Sequence, residues 1–498
     1  MKNWSRIIAL ALVLVVLIAS YVLLKGGKAP GSTDAQASAT PTGAQASSTP
    51  KPDVTKLFDF ARTDIVKILL KRDTGDITLT LKETEVETQT QDNTGKIITD
   101  KQTVNLWTND GFKVDSTVAD SITYAVENLS TSRLIEADPQ DLSIYGLDKP
   151  NIVTLYNADG KSESLEIGNS TPTNEGRYVK RDGDKAVYTL GSYYVDNFTV
   201  SKYDLMSKQL YDKEGMIADN ISKLAFYKGD EEIFDSYMID PAQPGVWNIT
   251  YPIMAGADYV DLEKFLTGLA TRKITAIIED KPSDLALYGL DKPQYTFNYT
   301  LDGKEYVLKL GSLKGTAYYA MMGDQNYVFT IDSTGLTSLD MPAIDVIDLL
   351  VYVPAIFNTS KLEIEIDGRT DVLEMDVQQK PLDSDVYIFN GKKIDTEDNK
   401  VLFRRYYQGA IALMGDKLEP DANPQGEPFI RLTYTAKTGF VNERKTTVEL
   451  IPTPDGYGYY LMKNKKYTGL VMGKRQLDRE DMGIRTSYQN LINGLNGK

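Results

Sequence analysis

"YGLDKP" stands at residues 145–150 and returns at residues 288–293, 143 positions later. The match does not stop at six letters. Upstream, Pro139, Asp141 and Leu142 correspond to Pro282, Asp284 and Leu285. Downstream, Asp159-Gly160-Lys161 corresponds to Asp302-Gly303-Lys304, and Gly168 to Gly311. Trp107 and Trp247 are 140 apart, and Tyr178 and Tyr319 are 141 apart. So many coincidences at nearly one spacing identify an internal repeat. Physically, the box reads as a helix stop. Pro139 and Pro282 suit a first helical turn. Leu142 and Tyr145, like Leu285 and Tyr288, are three apart and share a face. Gly146 and Gly289 can take the left-handed conformation that ends a helix. Lys149 and Lys292 precede proline and are pushed toward extended backbone, so a strand should follow.

Working outward, the repeat predicts three units. Each opens with a similar strand: DIVKILL at 64–70, NISKLAF at 220–226 and NTSKLEI at 358–364. An aromatic residue (Trp107, Trp247, Tyr387) then precedes an amphipathic helix by about ten residues. The expected apolar faces are Val118, Ile122, Ala125, Val126 and Leu129; then Leu262, Phe265, Leu266 and Leu269; then Leu402, Tyr406, Ala410 and Leu413. Hairpins around Asp-Gly turns follow each helix. The third unit lacks the box and carries DKLEPDANPQGEP in its place. The expected fold class is α+β, three tandem units of antiparallel sheet each with a packed amphipathic helix, after an N-terminal transmembrane helix. Their spans are 53–211, 212–351 and 352–498.

The transmembrane expectation rests on residues 7–24, IIALALVLVVLIASYVLL. At about 1.5 Å per helical residue this apolar run reaches roughly 27 Å, near the thickness of a bilayer's hydrocarbon core. It ends in Lys25-Gly26-Gly27-Lys28 with no small-x-small cleavage site directly after it. Residues 1–25 therefore read as an uncleaved signal-anchor, with the C-terminal body outside the cytoplasm. Residues 26–52, rich in Ser, Thr, Pro, Gly and Ala, read as a disordered linker that gives the body reach.

Composition narrows the chemistry. The 498-residue chain has 70 acidic and 55 basic residues, a formal charge of −15, and neither histidine nor cysteine. An acidic surface without a long Lys/Arg run argues against nucleic-acid partners. Without histidine and cysteine there is no Ser-His-Asp or Cys-His mechanism, no thiolate or imidazole metal site, and no disulfide. Ser48-Thr49-Pro50-Lys51 spells SxxK, but it falls in the linker with no helix to mount it. Gly160-Lys161-Ser162 resembles the end of a phosphate loop, yet Leu155 stands where the loop's first glycine is required. Asp421, Asn423, Gln425 and Gly426 resemble half an EF-hand, yet position twelve is Leu432. Among 70 carboxylates no pair is singled out for glycosidase-type chemistry. No catalytic, cofactor-binding or metal-binding residue is assigned. The 31 tyrosines, among them Tyr318, Tyr319, Tyr327, Tyr457, Tyr459, Tyr460 and Tyr467, are expected on the wet faces of sheets. Trp107 and Trp247 are expected in the core.

The box with its following strand, "DGK", "IG" and later "YV…VY" resembles the domain-of-unknown-function family 4340, over most of residues 54–350. That resemblance implies a bacterial, N-terminally anchored, exported protein of the cell envelope that accompanies ABC transporters of the gliding-motility type, with their GldG-like subunit. It brings no catalytic residues. The expectation is a non-catalytic, membrane-anchored extracytoplasmic repeat protein, an accessory or scaffold subunit of an ABC-transporter-type complex. Its partners would be an ABC permease and ATPase, with the lipid bilayer held through the N-terminal helix. The alternatives are an envelope-glycan-binding protein and a carboxylate-based hydrolase.

Overall fold

Each opening strand becomes the centre of a sheet. A computed structural model describes residues 54–497, except 92–96, 128, 132, 214, 324, 381–383 and 440–443. The expected anchor (1–25), the whole of the expected linker (26–52) and the SxxK motif within it lie outside these residues. Among the described residues no helix is long and apolar enough to cross a membrane.

In the first sheet the strands are β1 (Ile65–Lys71), β2 (Ile77–Gln91), β3 (Ile97–Thr108), β4 (Leu134–Glu136), β5 (Asn151–Asn157), β6 (Ser162–Ser170), β7 (Gly176–Arg181) and β8 (Val187–Gly191). Their spatial order is β3-β2-β1-β5-β6-β7-β8-β4. The second sheet holds β9 (Ile221–Lys228), β10 (Glu231–Met238), β11 (Trp247–Tyr251), β12 (Ala276–Asp280), β13 (Tyr295–Leu301), β14 (Lys304–Lys314), β15 (Ala317–Met322) and β16 (Tyr327–Asp332). The third holds β17 (Thr359–Ile366), β18 (Arg369–Asp376), β19 (Val386–Phe389), β20 (Lys417–Leu418), β21 (Ile430–Ala436), β22 (Lys445–Pro452), β23 (Gly458–Lys463) and β24 (Lys466–Gly473). Both repeat the order of the first and add a two-residue edge strand, at 255–256 and 392–393. All pairings are antiparallel, so the α+β reading holds. In every sheet the chain builds an opening meander, crosses through a helix to a far edge strand, and returns to pair with its own first strand.

The crossing helices are α1 (Ser116–Val126), α3 (Tyr259–Ala270) and α4 (Glu397–Ile411); α2 (Ser192–Phe198) follows β8, and α5 (Ile484–Leu495) ends the chain. Asp115, Asp258 and Thr396 cap the three crossing helices by accepting backbone N–H bonds of the first turn. The expected face of α3 is buried as written. The expected faces of α1 and α4 also turn to the core, with Val118, Ala125 and Leu402 half-buried against it, and further residues are buried beside them. In α1 the buried stripe is Ala119, Ile122, Thr123 and Val126, and Leu129 is buried beyond the helix end. In α4 it is Phe403, Tyr406, Tyr407, Gly409 and Ala410, because α5 packs on that helix and widens its covered side; Leu413 is buried past the end. Trp107, Trp247 and Tyr387 are core residues.

The tyrosine expectation is corrected. Tyr459 is buried and Tyr457 exposed, while Tyr318, Tyr319, Tyr327, Tyr460 and Tyr467 are half-buried. Tyr295, Tyr299, Tyr306, Tyr406, Tyr407 and Tyr434 are in the core. Burial is tolerated because hydroxyls find partners inside. Tyr434 donates to the Ala410 carbonyl at 3.0 Å, and Tyr211 to the Leu269 carbonyl at 2.8 Å.

The box is a joint within each sheet. It forms 3₁₀ turns at Ser143–Tyr145 and Leu285–Tyr288, closed by left-handed Gly146 (φ 66°) and Gly289 (φ 67°). Pro139 and Pro282 precede these turns rather than opening them. The Tyr145 hydroxyl donates to Glu136 at 2.6 Å and Tyr288 to Glu279 at 2.5 Å. The two rings stack edge-on against Tyr178 and Tyr319, with centroids 4.9 and 5.0 Å apart. Gly168 and Gly311 let the turn lie on the sheet: a Cβ there would sit 2.1 and 2.2 Å from the Tyr145 and Tyr288 carbonyl oxygens. The box thus pins helix exit, edge strand and returning strand together.

Candidate functional site: a cationic cleft at the first joint

The segments that connect successive sheets do not hang free. Between the first and second sheets, Val114 bridges Met206 and Gln209 bridges Lys273. Asp115 N–H donates to the Leu205 carbonyl, Ser207 N–H to Lys113, and Ile274 N–H to Lys208. Between the second and third, Ala257 bridges Ile347 and Leu350 bridges Met414. Asp258 N–H donates to Val346, Asp348 N–H to Gly256, and Gly415 N–H to Leu349. The paired positions lie 141 or 143 residues apart, so the two joints are one device built twice.

The first joint encloses a cleft of about 700 Å³ lined by Lys113, Asp115, Lys208, Lys213, Arg272 and Lys273, with Ser116 and Thr117 from the first turn of α1. Among the described lining residues five are cationic and one is a carboxylate, in a chain whose net charge is −15. That carboxylate, Asp115, accepts the Thr117 and Val118 N–H groups and is committed to capping the helix. Lys213 pairs with Asp302 at 2.7 Å. Arg272 donates to the carbonyls of Thr334 and Asp332, and its Nε is buried without a partner. Lys113, Lys208 and Lys273 form no ion pair among the described residues. The Ser201 hydroxyl, and then nearby Lys208, hold the Asp204 carboxyl below its usual range.

A second polar cluster sits in the third sheet. Buried Asp371 accepts from Tyr406 at 2.8 Å, Arg369 at 3.0 Å and Asn390 at 3.2 Å. Burial, and then the Asp371 charge, push the Tyr406 hydroxyl far above its ordinary range, so it stays a donor. Arg369 also lies over the Tyr488 ring of α5. Its job is to seat the last helix.

The phosphate-loop and EF-hand resemblances fall outside the cleft. Gly160-Lys161-Ser162 is a hairpin turn in which Asn157 accepts the Lys161 N–H. Leu432 is buried on β21, and no group of three carboxylates suited to a metal occurs among the described residues. Reading single motifs missed the cationic cleft. The signal was in the columns of the repeat: Lys113, Lys208, Lys213, Arg272 and Lys273 align with Gly256, Leu349, Pro354, Leu413 and Met414.

The family model described as Domain of unknown function (DUF4340) matches residues 105–235 and 247–400, together more than half of the chain. Comparison with curated proteins and with solved structures returned no match.

Proposed function

The chain belongs to the DUF4340 family, and from that premise we propose that it is a membrane-anchored, extracytoplasmic accessory or scaffold subunit of an ABC-transporter-type complex. The observation that carries the reading is the pair of joints. A repeated backbone pairing fastens three sheets of identical strand order in series, which is how a spacer or assembly platform is made. Among the described residues that line the cleft at the first joint, the carboxylate, Asp115, caps a helix, which supports binding over hydrolysis. The apolar run at 7–24 and the linker at 26–52 supply the anchor and reach. The test is to solubilise native membranes gently, capture the full chain and identify what co-purifies. Enrichment of a permease and its ATPase over an anchor-only control is the expected result; absence of any membrane partner after crosslinking overturns the reading.

A further inference from the structure

We infer that the cleft at the first joint is a binding site for a small phosphate-bearing anion, held by Lys113, Lys208 and Lys273.

The inference stands on the difference between two copies of one device. The pairing of Val114 with Met206 and of Gln209 with Lys273 recurs as Ala257 with Ile347 and Leu350 with Met414. The backbone therefore needs no lysine at these places. Leu349 packs half-buried on the core, Leu413 is 5% exposed, and Met414 is half-buried. A joint lined with leucine is self-sufficient. A joint lined with lysine brings like charges together around a concave space, which costs free energy unless something anionic comes in. Asp115 supplies one negative charge against five positive ones, and its Oδ1 accepts two amides of α1. Lys213 is answered by Asp302 across the rim, and Arg272 by the carbonyls of the 332–334 turn. Lys208 also feels Asp204, which does not line the cleft, and Lys113 and Lys273 form no ion pair among the described residues; the three ammonium groups lie on three separate segments, Lys113 before α1, Lys208 in the connector and Lys273 after α3.

The chemistry of the lining selects the ligand class. Ammonium groups act as point charges that suit phosphate oxygens without demanding a planar fork. Ser116 and Thr117 add hydroxyl donors from the first turn of α1. The volume suits a small molecule or one headgroup. Because the lysines come from both sheets and their connector, the anion would bridge the two units.

The test uses the full chain in non-ionic detergent and inorganic pyrophosphate as probe, by titration calorimetry at low ionic strength. Saturable binding that weakens with salt is expected. The triple variant K113Q/K208Q/K273Q should lose about tenfold or more in affinity. A control, K71Q/K392Q/K466Q, removes three exposed lysines that do not line the cleft and should bind as the parent does. A thermal melt of the ligand-free variants checks folding, and single substitutions replace the triple should it fail to fold. A second arm floats the chain with phosphatidate vesicles against phosphatidylcholine vesicles. Pyrophosphate binding with equal flotation assigns a soluble anion. Lysine-dependent flotation with phosphatidate alone assigns a headgroup. Absence of binding in both arms, or an equal loss in the control variant, overturns the inference.

Discussion

At the first joint the connector between sheets carries Lys208 and faces Lys113 and Lys273; at the second, the same three places are Leu349, Gly256 and Met414. One backbone pattern supports both. The buried side chains follow the same division. The apolar cores of the second and third sheets run together into one cluster, and Ile253 of the second lies against Gly469 of the third, where a Cβ would come within 2.2 Å of it. The first sheet keeps a core of its own, with half-buried Phe112 touching both clusters. Main-chain pairing fixes how units are joined, while side chains decide whether the seam is continuous core or open, charged ground.

Making the second joint resemble the first should have the largest effect. Leu413→Arg places a guanidinium at the position equivalent to Arg272, but inside the shared core. A buried charge without a partner should cost about 3–5 kcal/mol, read as a lowered urea midpoint of the full chain. If the loss is below about 1 kcal/mol, the side chains are not what closes that joint. The next pair of variants tests how far a disturbance spreads. Gly168→Ala and Gly311→Ala drive a methyl against equivalent carbonyls and should each cost about 1–3 kcal/mol. Hydrogen exchange should show the first confined to residues of its own sheet and the second reaching β17–β24, because only the latter shares its core. Identical exchange patterns would erase the distinction between the seams.

Smaller effects separate the box from the joint. Tyr288→Phe removes the hydroxyl bonded to Glu279 and keeps the ring on Tyr319, for about 1 kcal/mol. That bond to Glu279 pushes the Tyr288 hydroxyl up to about 12. Its stabilisation is therefore complete below pH 10 and lost as pH rises through about 12. The parent should weaken over that window more than Tyr288→Phe does in parallel melts. Least of all, Lys202→Ala removes the ion pair with Asp280 that spans the first joint at 2.5 Å. Both side chains are partly exposed, so the cost should stay below about 1 kcal/mol in the same melts.

Much of this fold is legible in the letters. The opening strands at 64–70, 220–226 and 358–364 are central strands, and Gly146 and Gly289 take the left-handed conformation that the Tyr-Gly-Leu reading requires. Periodicity failed where burial comes from a second source. Thr123 is buried in α1 and Tyr407 in α4, the latter through a hydroxyl bonded to the Pro354 carbonyl. The twelve-residue α5 helix stands after the last strand of its sheet where the first unit has the seven-residue α2, so the repeat could not announce its length. The cleft was invisible for a different reason. Lys113, Lys208 and Lys273 are separated by up to 160 residues, and only the paired connector brings them to one place.

The return of the chain to its own first strand has a further consequence. In every sheet the seam between opening meander and returning half, β1 with β5, β9 with β13 and β17 with β21, lies mid-sheet. The family's matched stretches, 105–235 and 247–400, begin at the Trp strand of one sheet and run into the opening strands of the next. The inherited segment is thus out of step with the folded one, carrying the back half of one sheet and the front half of its successor. Residues before 105 supply β1, the partner of β5, and residues beyond 400 supply β21, the partner of β17. A fragment cut at 105 and 400 would bare β5 at one end, with Val153 and Leu155 at its heart, and β17 at the other. Each bared edge is the complement of the other. The flanking strands therefore cover edges that a fragment so cut would leave open to pairing with another chain.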